Sequence, residues 1–288
     1  MKEVCVITGG GSGMGLATAK YIKDRLVIIS GRTESKLAAA CEELKEAGVE
    51  AIYKTCDTSS RASVAELAKF ASEQGTIKQV INCAGMSPSM TNAEKLFRIN
   101  AMGTVYVNQE FSKYMDKGSV ICDVASNSAY ALPGFMTKAV KFAYKWADKD
   151  EDKFVNFFMK LAGKISDDYM SAGMAYSFSK NFVTWYAAKS AFDLGPRGIR
   201  VCSVSPGLIA TAMGNAEVEH GGDLIKKNCE ERMGTADELG YCIATCADPR
   251  NGYLAAVDVL ADGGSTRGNA EFKHDPLAPL KMMGIIKD

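Results

Sequence analysis

A tyrosine and a lysine, Tyr176 and Lys180, lie four positions apart in a segment whose pattern predicts a helix. At that spacing both side chains occupy one face of the helix, one turn apart. A neighbouring positive charge favours the phenolate and lowers the pKa of a tyrosine from its ordinary value of ~10, so the pair can donate and accept a proton. On many helices the same spacing is only a packed ring and a solvated amine. Its chemical meaning therefore depends on the rest of the chain.

A glycine-rich turn follows the first predicted strand and opens a predicted helix. Glycine permits a tight turn and a close approach of the backbone to a pyrophosphate, and the helix N-terminus offers unpaired N–H groups to it. In this strand–turn–helix context we expect a dinucleotide-binding site. Its candidate contacts are Thr8, Gly9, Gly11, Ser12, Gly13, Met14 and Gly15.

The second predicted strand ends in Gly31-Arg32. A protein that binds NAD commonly has an acid at this point to hold the ribose 2′-hydroxyl, whereas an arginine suits a 2′-phosphate. Arg32 therefore favours NADP(H) as cofactor, with NAD(H) still possible, because Ser12 supplies no second positive charge. The alternative is that Arg32 is an exposed residue at the start of a helix.

These residues need a scaffold, and short apolar runs alternate with helical periodicity along the chain. The runs are rich in β-branched residues, as in parallel strands buried on both faces. The alternation predicts an α/β fold, a doubly wound parallel seven-stranded sheet in three α/β/α layers. The predicted strands are Val4–Thr8, Leu26–Ser30, Ala51–Thr55, Gln79–Asn82, Val120–Val124, Arg200–Val204 and Ala256–Leu260. The predicted helices are Ser35–Ala47, Ser60–Ser72, Lys95–Met115, Met174–Leu194 and Thr235–Cys246.

The 288 residues contain no linker and no change of composition, so we expect a single domain over 1–288. Two segments depart from the alternation. One is a helical insertion at about 132–172, and the other is a C-terminal tail at about 265–288.

Composition argues against several classes of function. Basic and acidic residues both number 34, so no net charge attracts nucleic acid or an anionic membrane. We find neither a signal-peptide pattern nor an apolar run of ~18 residues that could span a bilayer. Nine cysteines without C-x-x-C spacing, and only two histidines, predict no metal site. Reduced thiols are typical of a cytoplasmic protein.

Taken together, these features make the chain from Val4 to Gly264 resemble the short-chain dehydrogenase/reductase family, whose members have a Rossmann fold. The glycine-rich turn has the family pattern T-G-x-x-x-G-x-G, and Tyr176 and Lys180 form the pattern Y-x-x-x-K. Residues 82–85, Asn-Cys-Ala-Gly, are similar to the family's N-N-A-G strand end, with a cysteine at the second position. Asn100 matches the family's helix asparagine, and Ser126 matches the serine after the fifth strand. The resemblance also assigns to the cofactor Asp57, Thr58, Asn82, Ala84, Gly85, Tyr176, Lys180, Pro206, Gly207, Ile209 and Thr211.

The resemblance implies hydride transfer between a nicotinamide and a carbonyl or alcohol carbon. Ser126 would hydrogen-bond the carbonyl oxygen, and Tyr176 would pass a proton to or from it. Lys180 would bind the nicotinamide ribose and lower the pKa of Tyr176. Asn100 would place a water in a relay to solvent, although it could instead be a buried hydrogen-bonding residue. Ser128 is the alternative to Ser126.

The insertion lies between Ser126 and Tyr176. Its position resembles that in hydroxysteroid dehydrogenase/carbonyl reductase members of the family, where it changes how subunits pair. It can be a surface elaboration or an altered subunit contact, or else a wall of the substrate pocket. The aromatic residues that would line such a wall are Phe135, Phe142, Tyr144 and Trp146. The segment Ala212–Met233 should also contribute to the pocket.

The expected function is NADP(H)-dependent interconversion of a secondary alcohol and a ketone, on a hydroxysteroid- or bile-acid-like small molecule. One alternative is a 3-oxoacyl thioester reductase of the fatty-acid type. Another, of a different class, is a non-catalytic dinucleotide-sensing regulator. The enoyl-reductase branch of the family separates its tyrosine and lysine by seven positions, and Gly173 stands there in this chain. We expect a homodimer or homotetramer without a nucleic-acid or membrane partner.

Overall fold

The structure, a computed structural model, describes residues 2–221 and 228–271. The strands in these ranges are β1 (Glu3–Thr8), β2 (Leu26–Gly31), β3 (Ala51–Thr55), β4 (Thr76–Asn82), β5 (Met115–Val124), β6 (Arg200–Pro206), β7 (Ile209–Ala210), β8 (Gly234–Thr235) and β9 (Asp258–Ala261). The α-helices are α1 (Gly13–Ala19), α2 (Glu34–Glu46), α3 (Arg61–Gln74), α4 (Ala93–Phe97), α5 (Gly103–Ser112), α6 (Gly134–Tyr144), α7 (Glu151–Ala162), α8 (Asp168–Leu194), α9 (Ala212–Gly221), α10 (Ala236–Cys246) and α11 (Ser265–Glu271).

Seven of these strands form one parallel sheet in the order β3-β2-β1-β4-β5-β6-β9, as predicted. Thr8 of β1 is in register with Ser30 of β2 on one side and with Asn82 of β4 on the other. The strand order therefore reverses between β1 and β4. At such a point the carboxyl ends of the strands border a crevice in which α/β proteins bind ligands.

Alternate residues of a strand face opposite sides of the sheet, and β1 shows how this builds the two helical layers. Val4 and Val6 belong to the apolar cluster that joins the sheet to α3, α5 and α8. Cys5 and Ile7 belong to the cluster that joins it to α1, α2 and α10. All four side chains are fully buried. The predicted three-layer α/β/α arrangement is confirmed.

The helix predicted over Lys95–Met115 is interrupted, and that prediction is wrong in two respects. The helix passes through a π-helical turn, Arg98–Met102, between α4 and α5, and α5 ends at Ser112. Met115 already pairs with Ile77 of β4, so the chain must leave the helix before it. A π-helical turn carries one extra residue and is frequent at functional sites.

Other predicted boundaries are also wrong: β4 begins at Thr76 instead of Gln79, and β5 at Met115 instead of Val120. Helix α8 begins six residues before Met174, because the side chain of Asp167 accepts a hydrogen bond from the backbone N–H of Met170 at 2.8 Å and caps the helix earlier. The last strand begins at Asp258 instead of Ala256. Ala256 has a φ of 55°, which lies outside the strand region.

Helices α6 and α7 occupy most of the region of the predicted insertion, and their side chains enter the same core as α8. The rings of Phe154 and Phe182 have centroids 4.7 Å apart, and those of Phe158 and Phe178 are 5.1 Å apart. All four phenylalanines are fully buried. The helix that carries Tyr176 is therefore packed directly against the insertion.

Polar contacts fasten α7 to the neighbouring helices. Glu151 forms an ion pair with Arg61 of α3 at 3.0 Å, and it accepts a hydrogen bond from the hydroxyl of Tyr106 on α5 at 2.6 Å. Just before α7, Asp148 accepts a hydrogen bond from the hydroxyl of Tyr186 on α8 at 2.8 Å. The insertion thus covers parts of α5 and α8.

The described part of the predicted tail is α11, and residues 272–288 lie outside the described residues. Asp262 begins this helix by accepting hydrogen bonds from the backbone N–H groups of Gly264 and Thr266 at 3.0 and 2.8 Å. Across residues 2–221 and 228–271, none of the helices combines the length and the apolar character that crossing a bilayer requires.

Candidate active site

The turn that joins β1 to α1 consists mostly of glycines, which have no side chains. Gly9 and Gly13 have φ values of 68° and 56°, which L side chains rarely adopt. A Cβ at Gly15 would lie 2.5 Å from the carbonyl oxygen of Gly9, so the turn has no room for a side chain there. The predicted contact residues Gly11, Ser12, Gly13 and Met14 lie between these points, in the turn and the first turn of α1.

The turn is tied to the end of β4. The hydroxyl of Thr8 donates to Asn82 Oδ1 at 2.7 Å and accepts from the backbone N–H of Ala84 at 3.1 Å. A Cβ at Gly9 would lie 2.9 Å from the same nitrogen of Ala84. The two strand ends are therefore held closely together, with predicted cofactor residues on both.

Lys180 reaches from α8 to the end of β5. Its Nζ donates a hydrogen bond to the carbonyl oxygen of Val124 at 2.9 Å, and it lies 5.7 Å from the ring centroid of Tyr176. Burial lowers the pKa of Lys180 to about 8, although the nearby Cys83 and Asp123 oppose this shift. At neutral pH the ammonium form still predominates.

Ser126 is a neighbour of Tyr176 and acts on its pKa. Burial raises the pKa of Tyr176, Ser126 counters this, and the charge of Glu217 raises the pKa further. The pKa of Tyr176 in the protein itself is therefore raised, and the lowering expected from Lys180 is not among its causes. Ser128 contributes its backbone N–H, which donates to Ser126 Oγ at 3.2 Å. Of the two candidate serines, Ser126 is thus the one that acts on the pKa of Tyr176.

Asn100 lies in the π-helical turn and is buried. Its Oδ1 accepts from the backbone N–H of Met86 at 2.8 Å, and its Nδ2 donates to the carbonyl oxygen of Met86 at 2.9 Å. A Cβ at Gly85 would lie 3.2 Å from Asn100 Oδ1 and 3.5 Å from Lys180 Nζ. The Asn100 side chain therefore shapes the loop after β4 beside the candidate catalytic residues.

Two family models match consecutive parts of the chain. One, described as short chain dehydrogenase, matches residues 3–145, and the other, described as Enoyl-(Acyl carrier protein) reductase, matches residues 149–266. The chain belongs to the short-chain dehydrogenase/reductase family. Tyr176 stands four positions before Lys180, and the residue seven positions before Lys180 is Gly173. The chain therefore lacks the tyrosine–lysine spacing of enoyl reductases, although the second model carries that name.

Relatives in this family cover most of the chain. The Short-chain reductase protein NovJ of Streptomyces niveus is 28% identical over 275 residues, which are 91% of this chain and 94% of that protein. The 3-hydroxyacyl-CoA dehydrogenase type-2 of Drosophila melanogaster is 26% identical over 262 residues, covering 88% and 95%. The solved structure of a short chain dehydrogenase from Burkholderia cenocepacia in complex with NADP has a TM-score of 0.70 at 22% identity, covering 92% of this chain and 97% of its own. This last likeness shows the fold.

In this short-chain dehydrogenase/reductase, Arg32 is exposed directly after β2. Its charge reaches Asp57. Burial opposes ionisation of that carboxyl, but hydrogen bonds from Ser59 and then the charge of Arg32 lower its pKa. The N-cap of α3 is Ser60, whose side chain accepts from the backbone N–H of Ser63. Thr58 is buried beside Asp57.

The remaining predicted cofactor residues follow β6. Pro206 ends that strand, Gly207 follows it, and Ile209 lies in β7. The methyl group of Thr211 would lie 3.6 Å from a Cβ at Gly13. This segment therefore faces the glycine-rich turn, and α9 continues from it. The predicted pocket segment is described up to residue 221 and again from 228, and residues 222–227 lie outside the described residues.

The family binds nicotinamide cofactors, and the residues of this chain fit one. Gly9, Gly13 and Gly85 let the segments at the carboxyl ends of β1 and β4 approach their neighbours closely, at the point of the sheet where α/β proteins bind dinucleotides. Arg32 supplies a positive charge at the end of β2. Among the described residues, no group of three or more His, Cys, Asp or Glu side chains is placed to hold a metal.

Sequence reasoning missed a buried carboxyl, Asp123, beneath the candidate site. It is fully buried and accepts hydrogen bonds from Asn108 Nδ2 at 2.9 Å and Asn82 Nδ2 at 3.2 Å. Burial raises its pKa to about 7, although these amides and the charge of Lys180 oppose the shift. A charged residue inside the apolar run Val120–Val124 was the available signal.

Two further residues near the site were also missed. Asn127 Nδ2 donates to Ser265 Oγ of α11 at 3.1 Å, and its Oδ1 lies 3.4 Å from Ser126 Oγ. Glu217 on α9 accepts hydrogen bonds from Ser89 and from Tyr169. Neither has a sequence pattern that distinguishes it.

The aromatic residues of the insertion divide into two groups. Tyr144 is fully buried in the core, where its hydroxyl donates to Asn181 Oδ1 at 2.7 Å. Phe142 is exposed on one side and packs edge-on against Trp146. Phe135 is exposed at the start of α6. Tyr144 therefore cannot line a substrate pocket.

Proposed function

We propose that the protein is an NADP(H)-dependent oxidoreductase that interconverts a secondary alcohol and a ketone. The observation that carries this proposal is the meeting of Ser126, Tyr176 and Lys180 beside the glycine-rich turn. Ser126 is close enough to Tyr176 to lower its pKa, and Lys180 Nζ lies 5.7 Å from the centroid of the Tyr176 ring.

The nicotinamide supplies the hydride donor or acceptor. Ser126 Oγ hydrogen-bonds the substrate oxygen and orients it towards the phenol. Tyr176 passes its hydroxyl proton to that oxygen in reduction and takes it back in oxidation. Lys180, held by Val124, binds the ribose and places its positive charge beside the phenol. Asn100, fixed on Met86, holds the π-helical turn in position for a water relay.

The preference for NADP(H) rests on Arg32. An exposed guanidinium after β2 can form two parallel hydrogen bonds to a 2′-phosphate. The structurally similar Burkholderia cenocepacia enzyme holds NADP, which supports this choice.

For the substrate we propose a bulky, largely apolar ketone or alcohol of the hydroxysteroid or bile-acid type. Two exposed apolar side chains support this choice. Met90 follows the loop after β4, and Phe135 follows the segment after Ser126. A 3-oxoacyl thioester is the second candidate, favoured by the relative named 3-hydroxyacyl-CoA dehydrogenase type-2.

We also propose a cytoplasmic homodimer or homotetramer. Its nine cysteines are free, as expected in a reducing compartment. Because α7 covers parts of α5 and α8, subunits would pair through other surfaces. Light scattering of the purified protein measures the assembly, and a monomer at micromolar concentration would contradict it.

The activity is tested with a panel of steroid ketones, simple ketones and 3-oxoacyl thioesters, each with NADPH and with NADH. Loss of reduced-nucleotide absorbance measures turnover. We expect reduction of at least one ketone class with NADPH favoured. Tight nucleotide binding without turnover on any member would instead support a dinucleotide-sensing regulator.

A further inference from the structure

Glu217 on α9 joins three segments of the candidate site. Its Oε1 accepts from the backbone N–H of Ser89 at 3.2 Å and from the Ser89 hydroxyl at 2.6 Å. Its Oε2 accepts from the hydroxyl of Tyr169, in the first turn of α8, at 2.9 Å. The Ser87 hydroxyl lies 3.3 Å from that of Ser89 and also helps to lower the pKa of Glu217. One carboxylate therefore holds α9 against both the loop after β4 and the start of α8.

These hydrogen bonds keep Glu217 charged. Its partial burial would raise the pKa of the carboxyl, but Ser89, Ser87 and Tyr169 together outweigh burial and lower it. The Glu217 carboxylate is thus a fixed negative charge at neutral pH.

The Glu217 carboxylate contacts the same helix that carries the candidate proton donor. Tyr169 and Tyr176 are seven positions apart on α8, two turns along the same face of the helix. Ser87 directly follows Met86, which Asn100 holds at the edge of the site. After burial and Ser126, the charge of Glu217 is the remaining influence on the pKa of Tyr176, and it acts to raise it. A ketone oxygen placed on Tyr176 would bring the rest of its substrate near this carboxylate.

We propose that Glu217 is a specificity-determining residue, whose fixed charge favours neutral or cationic carbonyl substrates and disfavours those with an anionic group close to the reacting carbon. This inference rests on the proposed function. A neutral amide could make the hydrogen bonds to Ser89 and Tyr169 without the cost of partly burying a charge. The negative charge itself is therefore what distinguishes glutamate from glutamine at this position.

Two unit charges roughly 8–10 Å apart near a protein surface interact by enough to change a binding equilibrium by about tenfold. The natural comparison is between two substrates that differ by one charge. Ethyl 4-oxopentanoate and 4-oxopentanoate share the same ketone, and only the second carries a carboxylate near it.

The test measures kcat/KM for both compounds with NADPH, in wild type and Glu217→Gln. We expect wild type to prefer the ester, and Glu217→Gln to raise kcat/KM for the acid relative to the ester by about tenfold, less so in high salt. Glu66→Gln removes a charge from an exposed position on α3 and should leave the ratio unchanged. An equal change for both compounds in Glu217→Gln would overturn the proposal.

Tyr169→Phe is the complementary variant, because it removes one hydrogen bond to Glu217 and leaves the charge. It should keep the wild-type preference for the ester, and it remains informative if Glu217→Gln does not fold. A loss of the preference in Tyr169→Phe would show that the hydrogen bond between α9 and α8, and not the charge, sets the selectivity.

Binding separates this inference from the proposed function. Dissociation constants for both compounds are measured by quenching of NADPH fluorescence in the protein–NADPH complex. Weaker binding of the acid in wild type, relieved in Glu217→Gln, supports the inference even if no turnover occurs and the proposed function fails. Equal relative binding of the two compounds in both proteins contradicts it.

Discussion

Lys180 Nζ donates a hydrogen bond to the carbonyl oxygen of Val124 at 2.9 Å, two residues before Ser126. This bond joins the helix that carries Tyr176 to the strand that leads into Ser126. The distance between the phenol and the serine hydroxyl therefore depends on a backbone atom and a buried ammonium group, both held by the core.

Replacing Tyr176 by phenylalanine removes the proposed proton donor and keeps the ring. We expect turnover to fall by at least about 10²-fold, because a positioned acid–base group contributes typically ~10²–10⁴-fold, while NADPH binding persists. Initial rates and NADPH fluorescence measure the two effects. Tyr114→Phe, at an exposed position, is the matched control. Full activity in Tyr176→Phe would refute the assignment.

The buried Asp123 predicts how stability depends on pH. Its pKa rises on folding from 3.8 to about 7, so the folded protein binds the proton more tightly. The contribution of Asp123 to the free energy of unfolding is therefore largest below pH 4. It falls by up to about 4 kcal/mol as the pH rises to 7. Asp123→Asn should lose this dependence. The Asp123→Asn protein should be less stable than wild type at pH 5, because an amide cannot accept both hydrogen bonds. By pH 7.5 the difference in the free energy of unfolding should have narrowed, because only wild type loses stability as the pH rises.

Urea unfolding at pH 5, 6 and 7.5 measures this difference. The series stops at 7.5 because Lys180, with a pKa of about 8, begins to lose its proton above that point. Asp116→Asn, at an exposed position of the same strand, should keep the wild-type slope. Parallel slopes for wild type and Asp123→Asn would rule out the predicted titration.

Arg32→Ala tests the cofactor preference. Loss of a charged hydrogen-bonding partner for the 2′-phosphate should raise KM for NADPH roughly tenfold or more, while KM for NADH changes little. Steady-state kinetics with each nucleotide measure the ratio. Arg250→Ala, an exposed arginine paired with Asp248, is the matched control. Unchanged KM for NADPH would leave Arg32 as an exposed residue at the start of α2.

The contacts of Glu151 predict which acidic residue of α7 stabilises the insertion. Glu151→Ala loses both Arg61 and Tyr106 and should lower the free energy of unfolding by about 1–2 kcal/mol. The neighbouring Asp152 pairs only at the surface with Arg98, so Asp152→Ala should cost less than about 0.5 kcal/mol. Denaturant unfolding of both variants measures this. Equal losses would show that the ion pair with Arg61 adds nothing.

The features that sequence alone predicted are local ones. The glycine-rich turn is one strand–turn–helix unit, and Tyr176 and Lys180 are one turn apart on one helix, so their geometry follows from spacing. The parallel sheet followed from β-branched runs such as Val4–Thr8. The roles given to these residues remain predictions until the variants are measured.

The remaining features depend on contacts between distant parts of the chain. Glu217 meets Ser89 across 128 positions and Tyr169 across 48. Asp123 meets Asn82 across 41 positions. No periodicity encodes such meetings, because they arise only when helices and strands have packed. The π-helical turn at Asn100 could not be predicted either, because its sequence continues the helical pattern of its neighbours.

Phe178 and Phe182 stand on either side of Lys180 in the helix, and both rings are covered by Phe154 and Phe158 of α7. A variant of the chain without α7 would expose these two rings to water, on the helix that carries the proposed proton-transfer residues. The segment cannot be trimmed like a loop. Its loss would require simultaneous substitutions on α8, so the added helices and the reactive helix are constrained to evolve together.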